Sequence, residues 1–175
     1  MTGQGYTARD VMTADVVCVR TGTNLRELEK LFLDRGISGA PVLDGGGNLV
    51  GVISLTDLVY YHLTRGDRPF TGSDFYRGGE LDRAFENSGY QIEDYDIGLV
   101  SDVMTPVVHT ASAETSVEGL AELMTGKGIH RVIITEGERV IGLVSSLDLL
   151  GVLARSPGTP APARPKARAR AAARA

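Results

Sequence analysis

Two short stretches, "GVISLTDLV" from Gly51 and "GLVSSLDLL" from Gly142, each set a serine three residues and an aspartate six residues after a glycine. The resulting pairs, Ser54 with Asp57 and Ser145 with Asp148, are the side chains best suited to chemistry. A carboxylate can accept from two vicinal hydroxyls at once, and a hydroxyl at a helix start can join backbone donors around an anion. The same spacing serves a structural purpose equally well. Ser54 or Thr56, and Ser145 or Ser146, could cap a helix whose positive end favours the aspartate.

Other chemistry finds little support. Cys18 is the only cysteine and sits in an apolar β-type run, so burial is its expected fate. Neither His62 nor His109 has a companion at metal-ligand spacing. The glycine-rich "DGGGN" lacks the lysine and the strand-loop-helix context of a phosphate loop. Carboxylates are scattered rather than paired, so no nucleophile or acid/base pair stands out, and the expectation is a protein that is not an enzyme.

The elements that must position these residues occur twice. Asp10 to Thr13 and Asp102 to Thr105 both read "DVMT", and Gly36-Ile37 matches Gly128-Ile129 at the same offset of 92 residues. By Gly51 and Gly142 the offset is 91, so one residue was lost between the turn-like "DGGGN" and "TEGER", where a hairpin tolerates a length change. Within each copy a short strand ("VVCV", "VVHT") precedes an amphipathic helix. Asn24 with Glu27 suggests a capping box for the first helix, Ser116 caps the second, and Gly36 and Gly128 stop them. Two β-rich runs around a turn follow, then a closing helix from near Thr56 or Ser146. The order is β-α-β-β-α, twice, an α/β (α+β) fold. A unit of this size cannot cover its own sheet, so the copies are expected to pack about a pseudo-two-fold axis with a cleft between them.

These linked pieces resemble a tandem pair of CBS domains, the cystathionine-β-synthase-type module, arranged as a stand-alone Bateman module. The resemblance rests on "DVMT" at each entrance, on "GISGAPVLD" and "GIHRVIITE" after the first helix, and on the Gly-x-x-Ser-x-x-Asp stretches. It implies a non-catalytic regulatory module that binds AMP, ADP, ATP or a related adenosyl ligand. Magnesium would enter only with ATP or ADP, and no resident cofactor is implied. By position, Asp57 and Asp148 would hold ribose hydroxyls, with Ser54, Thr56 and Ser145 beside them. Thr13, Val17, Thr105 and His109 would line the base. His130 and Arg131 fall where basic side chains meet phosphates, and the first copy has Ser38 and Gly39 there instead, so the sites are unequal. The resemblance also implies a homodimer built on the closing helices and a regulated partner protein.

Divided accordingly, residues 6–65 form the first repeat, 66–98 an insertion, 99–154 the second repeat and 155–175 a tail. The insertion holds three of the four Phe and three of the six Tyr, so an ordered segment is expected. The tail carries six of the 18 basic residues and none of the 22 acidic ones, which leaves residues 1–154 at a formal charge of about −10. The alternative reading is a scaffold or interaction protein with a degenerate ligand site, tethered to nucleic acid or an acidic membrane by this disordered basic tail. Cysteine usage and the absence of an apolar run of spanning length point to a cytoplasmic protein.

Overall fold

The computed structural model describes residues 5–64 and 98–154. The expectations for the tail, and for the insertion up to residue 97, lie outside the described residues. In chain order the elements are α1 (Ala8–Val11), β1 (Val19–Arg20), α2 (Leu25–Arg35), β2 (Gly39–Leu43), β3 (Leu49–Ser54) and α3 (Leu55–Thr64). The second half repeats them as α4 (Val100–Val103), β4 (Thr110–Ser112), α5 (Val117–Lys127), β5 (Arg131–Glu136), β6 (Arg139–Ser145) and α6 (Ser146–Leu153).

Each half builds a three-stranded sheet, β1-β2-β3 or β4-β5-β6, with the first pair parallel and the second a hairpin. Local chemistry sets the boundaries. Asn24 caps α2 by accepting from the Arg26 amide at 2.8 Å, and Ser116 caps α5 by accepting from the Gly119 amide at 3.1 Å. Gly36 (φ +61°) and Gly128 (φ +62°) then end those helices in the left-handed conformation, where a Cβ would be strained.

One expectation needs correction. The runs "VVCV" and "VVHT" contribute only their last residues, Val19 and Thr110, to β1 and β4. The residues ahead of them have another task. Thr13 forms a two-bond bridge with Leu143 of β6, at 2.9 and 3.0 Å, and Thr105 forms the equivalent bridge with Val52 of β3, both bonds 2.9 Å. Each entrance segment therefore pairs with the sheet of the other repeat before crossing back to its own.

The exchange obeys the repeat. Val117 donates to Tyr6, and Ala8 and Arg9 donate to Thr115 and Ala113; at matched positions Leu25 donates to Gly98, and Val100 and Ser101 donate to Thr23 and Thr21. Both cores are mixed in consequence. Ala8 and Val52 are buried among Leu120, Ile133, Ile134 and Val144, while Val100 and Val103 are buried among Leu25, Leu28, Phe32 and Ile53. A pseudo-two-fold arrangement follows from this mutual completion.

The crossing requires glycine. A Cβ on Gly51 would lie 2.9 Å from the Thr105 carbonyl and 3.0 Å from the Met104 sulfur. On Gly142 it would meet the Met12 side chain, with Cγ at 2.9 Å. The glycine that opens each repeated stretch is thus where the other repeat's "MT" passes.

Two turns carry depressed carboxylates. Hydrogen bonds from the Thr7 backbone and hydroxyl hold Asp10 below the ordinary aspartate value of 3.8. Asp44 is lowered by the Asn48 backbone and side chain and by Gly46 and Gly47 amides in the β2–β3 hairpin.

Gly51→Ala is expected to lower stability by about 1–3 kcal/mol in urea unfolding, because a backbone carbonyl must shift. Gly142→Ala should cost a similar amount, because Met12 Cγ at 2.9 Å and Cβ at 3.1 Å lie at the root of that side chain and the segment carrying it must shift. A carboxylate with a lowered folded pKa adds stability that is complete above its unfolded value and lost as pH falls through the folded one. The unfolding midpoint should therefore hold from neutral pH down to roughly pH 5 and decline below roughly pH 4, less steeply in Asp10→Asn.

Candidate functional site

Both repeated stretches are junctions at which a strand runs directly into a helix. Ser54 ends β3 and Leu55 begins α3; Ser145 ends β6 and Ser146 begins α6. The turn is held from the neighbouring strand, because the Leu55 amide donates to the Ser38 carbonyl at 3.0 Å and the Ser146 amide to the His130 carbonyl at 2.9 Å.

At each junction the serine and aspartate form a reciprocal cap. The Ser54 amide donates to Asp57 Oδ2 at 2.7 Å and the Asp57 amide to Ser54 Oγ at 3.3 Å. The Ser145 amide and hydroxyl donate to Asp148 Oδ2 at 2.7 and 2.6 Å, and the Asp148 amide donates to Ser145 Oγ at 3.4 Å. Helix capping by these residues is therefore real. It also orients the carboxylate: a carboxylate has about four acceptor directions, and the cap bonds converge on one oxygen.

The two junctions differ in access. Asp57 is 1% exposed and Ser54 2%, with Thr56 also buried, whereas Ser145 is buried and Asp148 only half-buried. The second carboxylate is the more accessible of the two.

Entrance residues reach the junctions crosswise. Leu143, bridged to Thr13, lies two residues before Ser145, and Val52, bridged to Thr105, lies two residues before Ser54. The threonine of each repeat accordingly stands beside the junction of the other. Thr105 is 6% exposed and its Oγ1 has no hydrogen-bond partner among the described residues. Val17 and His109 are half-buried where the chain crosses back, and the His109 carbonyl accepts from the Ile133 amide at 3.2 Å.

Of the two basic residues expected at the phosphate position, His130 is exposed and Arg131 half-buried. Arg131 pairs with Ser145 across β5 and β6, and its Nη1 donates to the hydroxyl of Ser38 in the other repeat at 3.3 Å. Ser38 stood in the sequence only as a position lacking a cation. The repeat offset matches Ser38 with His130 rather than with Arg131, so no alignment of the copies could have revealed the contact.

The remaining reactive side chains are structural. Cys18 is half-buried with Sγ 3.6 Å from the Val16 carbonyl, and burial pushes its thiol pKa up, away from thiolate chemistry. His62 Nε2 lies 2.6 Å from Glu29 Oε1 and ties α3 to α2. No cluster of three metal-ligating side chains occurs among the described residues, and none of their helices is long and apolar enough to cross a membrane.

A duplicated β-α-β-β-α unit with exchanged entrances and a capped serine-aspartate junction in each half defines a tandem-repeat module. The family model described as the CBS domain matches residues 8–63 and 100–155, and the chain belongs to the CBS domain family. An uncharacterized protein of Methanocaldococcus jannaschii is 30% identical over 161 residues, covering 86% of this chain and 93% of that protein. The CBS domain of a CBS domain-containing membrane protein from Sphaerobacter thermophilus is 34% identical, with a TM-score of 0.58 over 85% of this chain and 88% of that one. CBSX2, solved in complex with AMP, has a TM-score of 0.61 at 23% identity over 85% of this chain and 96% of its own. A CBS domain pair solved with 5′-methylthioadenosine and S-adenosyl-L-methionine has the same score at 19% identity, with the same coverage.

Replacing Thr105 by Val removes a buried hydroxyl that lacks a protein partner while keeping the side chain's shape. The ligand-free protein is expected to gain about 1 kcal/mol in urea unfolding. A loss of that size would mean that the hydroxyl is satisfied in the folded state.

Proposed function

We propose that the chain is a non-catalytic regulatory module that binds an adenine nucleotide or related adenosyl ligand between its two repeats. The observation that carries this reading is the duplicated serine-aspartate junction, with its carboxylate oriented by the cap and approached by the other repeat's threonine. Ribose hydroxyls would donate to Asp148 or Asp57, and the amides at the start of α6 or α3 would face the phosphate end. The structures of CBSX2 with AMP and of a CBS pair with adenosyl compounds support the ligand class.

The exchanged entrances support a signalling role. A ligand held by one repeat's junction and the other repeat's threonine changes their relative energy whenever it fits one arrangement better than another. A partner protein would read that shift.

Assembly as a homodimer is supported by α6, where Leu147, Leu150 and Leu153 are 66%, 56% and 81% exposed along one stripe. The first closing helix is more covered: Thr56, Asp57 and Leu58 are buried, while Tyr60 is 43% exposed. A self-complementary apolar stripe suits a two-fold contact between copies.

Thermal unfolding with AMP, ADP, ATP, NAD or S-adenosylmethionine should show a rise for at least one ligand, about 2.7 kcal/mol at 100 times its dissociation constant. Because Asp57→Ala and Asp148→Ala each lose a cap, worth about 0.5–2 kcal/mol, the readout is the ligand-induced rise rather than the absolute midpoint. That rise should vanish in at least one variant; no rise in the intact chain refutes the reading. Leu150→Glu should convert the dimer to monomer in size-exclusion chromatography with light scattering, and an unchanged mass would exclude this face.

A further inference from the structure

Among the described residues the methionines are Met12, Met104 and Met124, and the first two stand at matched places where the repeats cross. Met12 immediately precedes the bridging Thr13, and Met104 the bridging Thr105. Each packs against the core of the other repeat: Met12 against the cluster of Leu120, Ile133 and Val144, Met104 against that of Leu28, Phe32 and Ile53. Met124 is 4% exposed inside α5, whereas Met12 and Met104 are half-buried.

Both crossing thioethers lie flush on the glycines that open the repeated stretches. A Cβ on Gly51 would stand 3.0 Å from Met104 Sδ, and one on Gly142 would overlap Met12 Sδ. No room for a further atom is left on the seam side of either sulfur. Val52 and Leu143 follow those glycines directly and carry the backbone bridges, both bonds 2.9 Å for Val52 with Thr105, and 2.9 and 3.0 Å for Leu143 with Thr13. Sulfur contact and bridge are adjacent at each crossing.

A thioether is soft and apolar, but its sulfoxide carries a polar oxygen that must find a donor or lose its hydration unpaid. With a hydroperoxide, the sulfur lone pair attacks the terminal oxygen, the S–O bond forms and the O–O bond breaks. The other oxygen leaves with the proton of the first, as water or an alcohol, so sulfur is oxidised by two electrons and the peroxide reduced.

We propose that Met12 and Met104 form a paired oxidation site for hydroperoxides, at which sulfoxide formation loosens the seam between the repeats. Partial exposure admits the oxidant, and crowding against glycine denies the product its place. Oxidation of Met104 weakens the bridge of Thr105 with Val52, and oxidation of Met12 that of Thr13 with Leu143. The site needs no adenosyl ligand and stands whether or not one binds.

Hydrogen peroxide treatment of the full chain tests this, in a Cys18→Ala background that removes the thiol, with each methionine followed by peptide mass spectrometry. Met12 and Met104 should gain one oxygen about tenfold or more faster than the buried Met124. The thermal midpoint should then fall by about 4 °C or more, and the amides of Thr13, Val52, Thr105 and Leu143 should exchange with deuterium about tenfold faster. Methionine sulfoxide reductases A and B together should restore both. Leucine conserves the volume of methionine, so the Met12→Leu/Met104→Leu variant should show neither change under peroxide.

Oxidation of Met124 as early as the other two, an unchanged midpoint or exchange after oxidation, or the same fall in the leucine variant would overturn the proposal. If that variant does not fold, failure of the reductases to restore the midpoint overturns it instead.

Discussion

The structure depends on a reciprocal exchange of backbone hydrogen bonds. Each repeat's entrance segment completes the other repeat's sheet, through Thr13 with Leu143 and Thr105 with Val52. A half of this size has one sheet and two longer helices, too little to bury its own apolar surface. The exchange supplies what is missing: Ala8 enters one core, and Val100 and Val103 enter the other. Close approach of two backbones is the condition, and it is met because Gly51 and Gly142 present no side chain to the passing Met-Thr.

The candidate site grows from the same feature. Residues just beyond the exchanged bridges on β3 and β6 are Ser54 and Ser145, where strand turns into helix. There the cap and the proposed binding group are the same side chains. A helix start must satisfy its first amides, and a serine with an aspartate three residues on does so while aiming the carboxylate. Capping and ligand recognition are compatible uses of one geometry, and the duplicated fold places two copies of it on either side of the seam.

Near-symmetry makes the departures informative. The backbone bridges match pair for pair under the repeat, yet the side chains at the seam do not. Arg131 faces Ser38, Asp57 is buried where Asp148 is half-buried, and the exposed leucines 147, 150 and 153 of α6 match Thr56, Val59 and His62 of α3, none of which is exposed. Each difference sits on a position at which the two copies carry different residues or different cover. Duplication sets the scaffold, and divergence makes the two halves unequal at the seam.

The sequence by itself determined the duplication, the β-α-β-β-α order, the caps at Asn24 and Ser116, and the stops at Gly36 and Gly128. It also singled out both serine-aspartate pairs. These are local or periodic signals: helical spacing, turn chemistry and repeat register are properties of neighbouring residues, so they survive without the third dimension. Only the tertiary structure decided that "VVCV" and "VVHT" are crossings rather than full strands, that each threonine serves the other repeat's junction, and that Arg131 meets Ser38. Those outcomes are set by contacts between residues far apart in the chain, Thr13 with Leu143, Thr105 with Val52 and Arg131 with Ser38, and an apolar β-branched run reads the same whether it pairs within its own sheet or crosses to another. The unequal burial of Asp57 and Asp148 belongs with them, because burial depends on what packs over a carboxylate and not on the residues beside it in the chain.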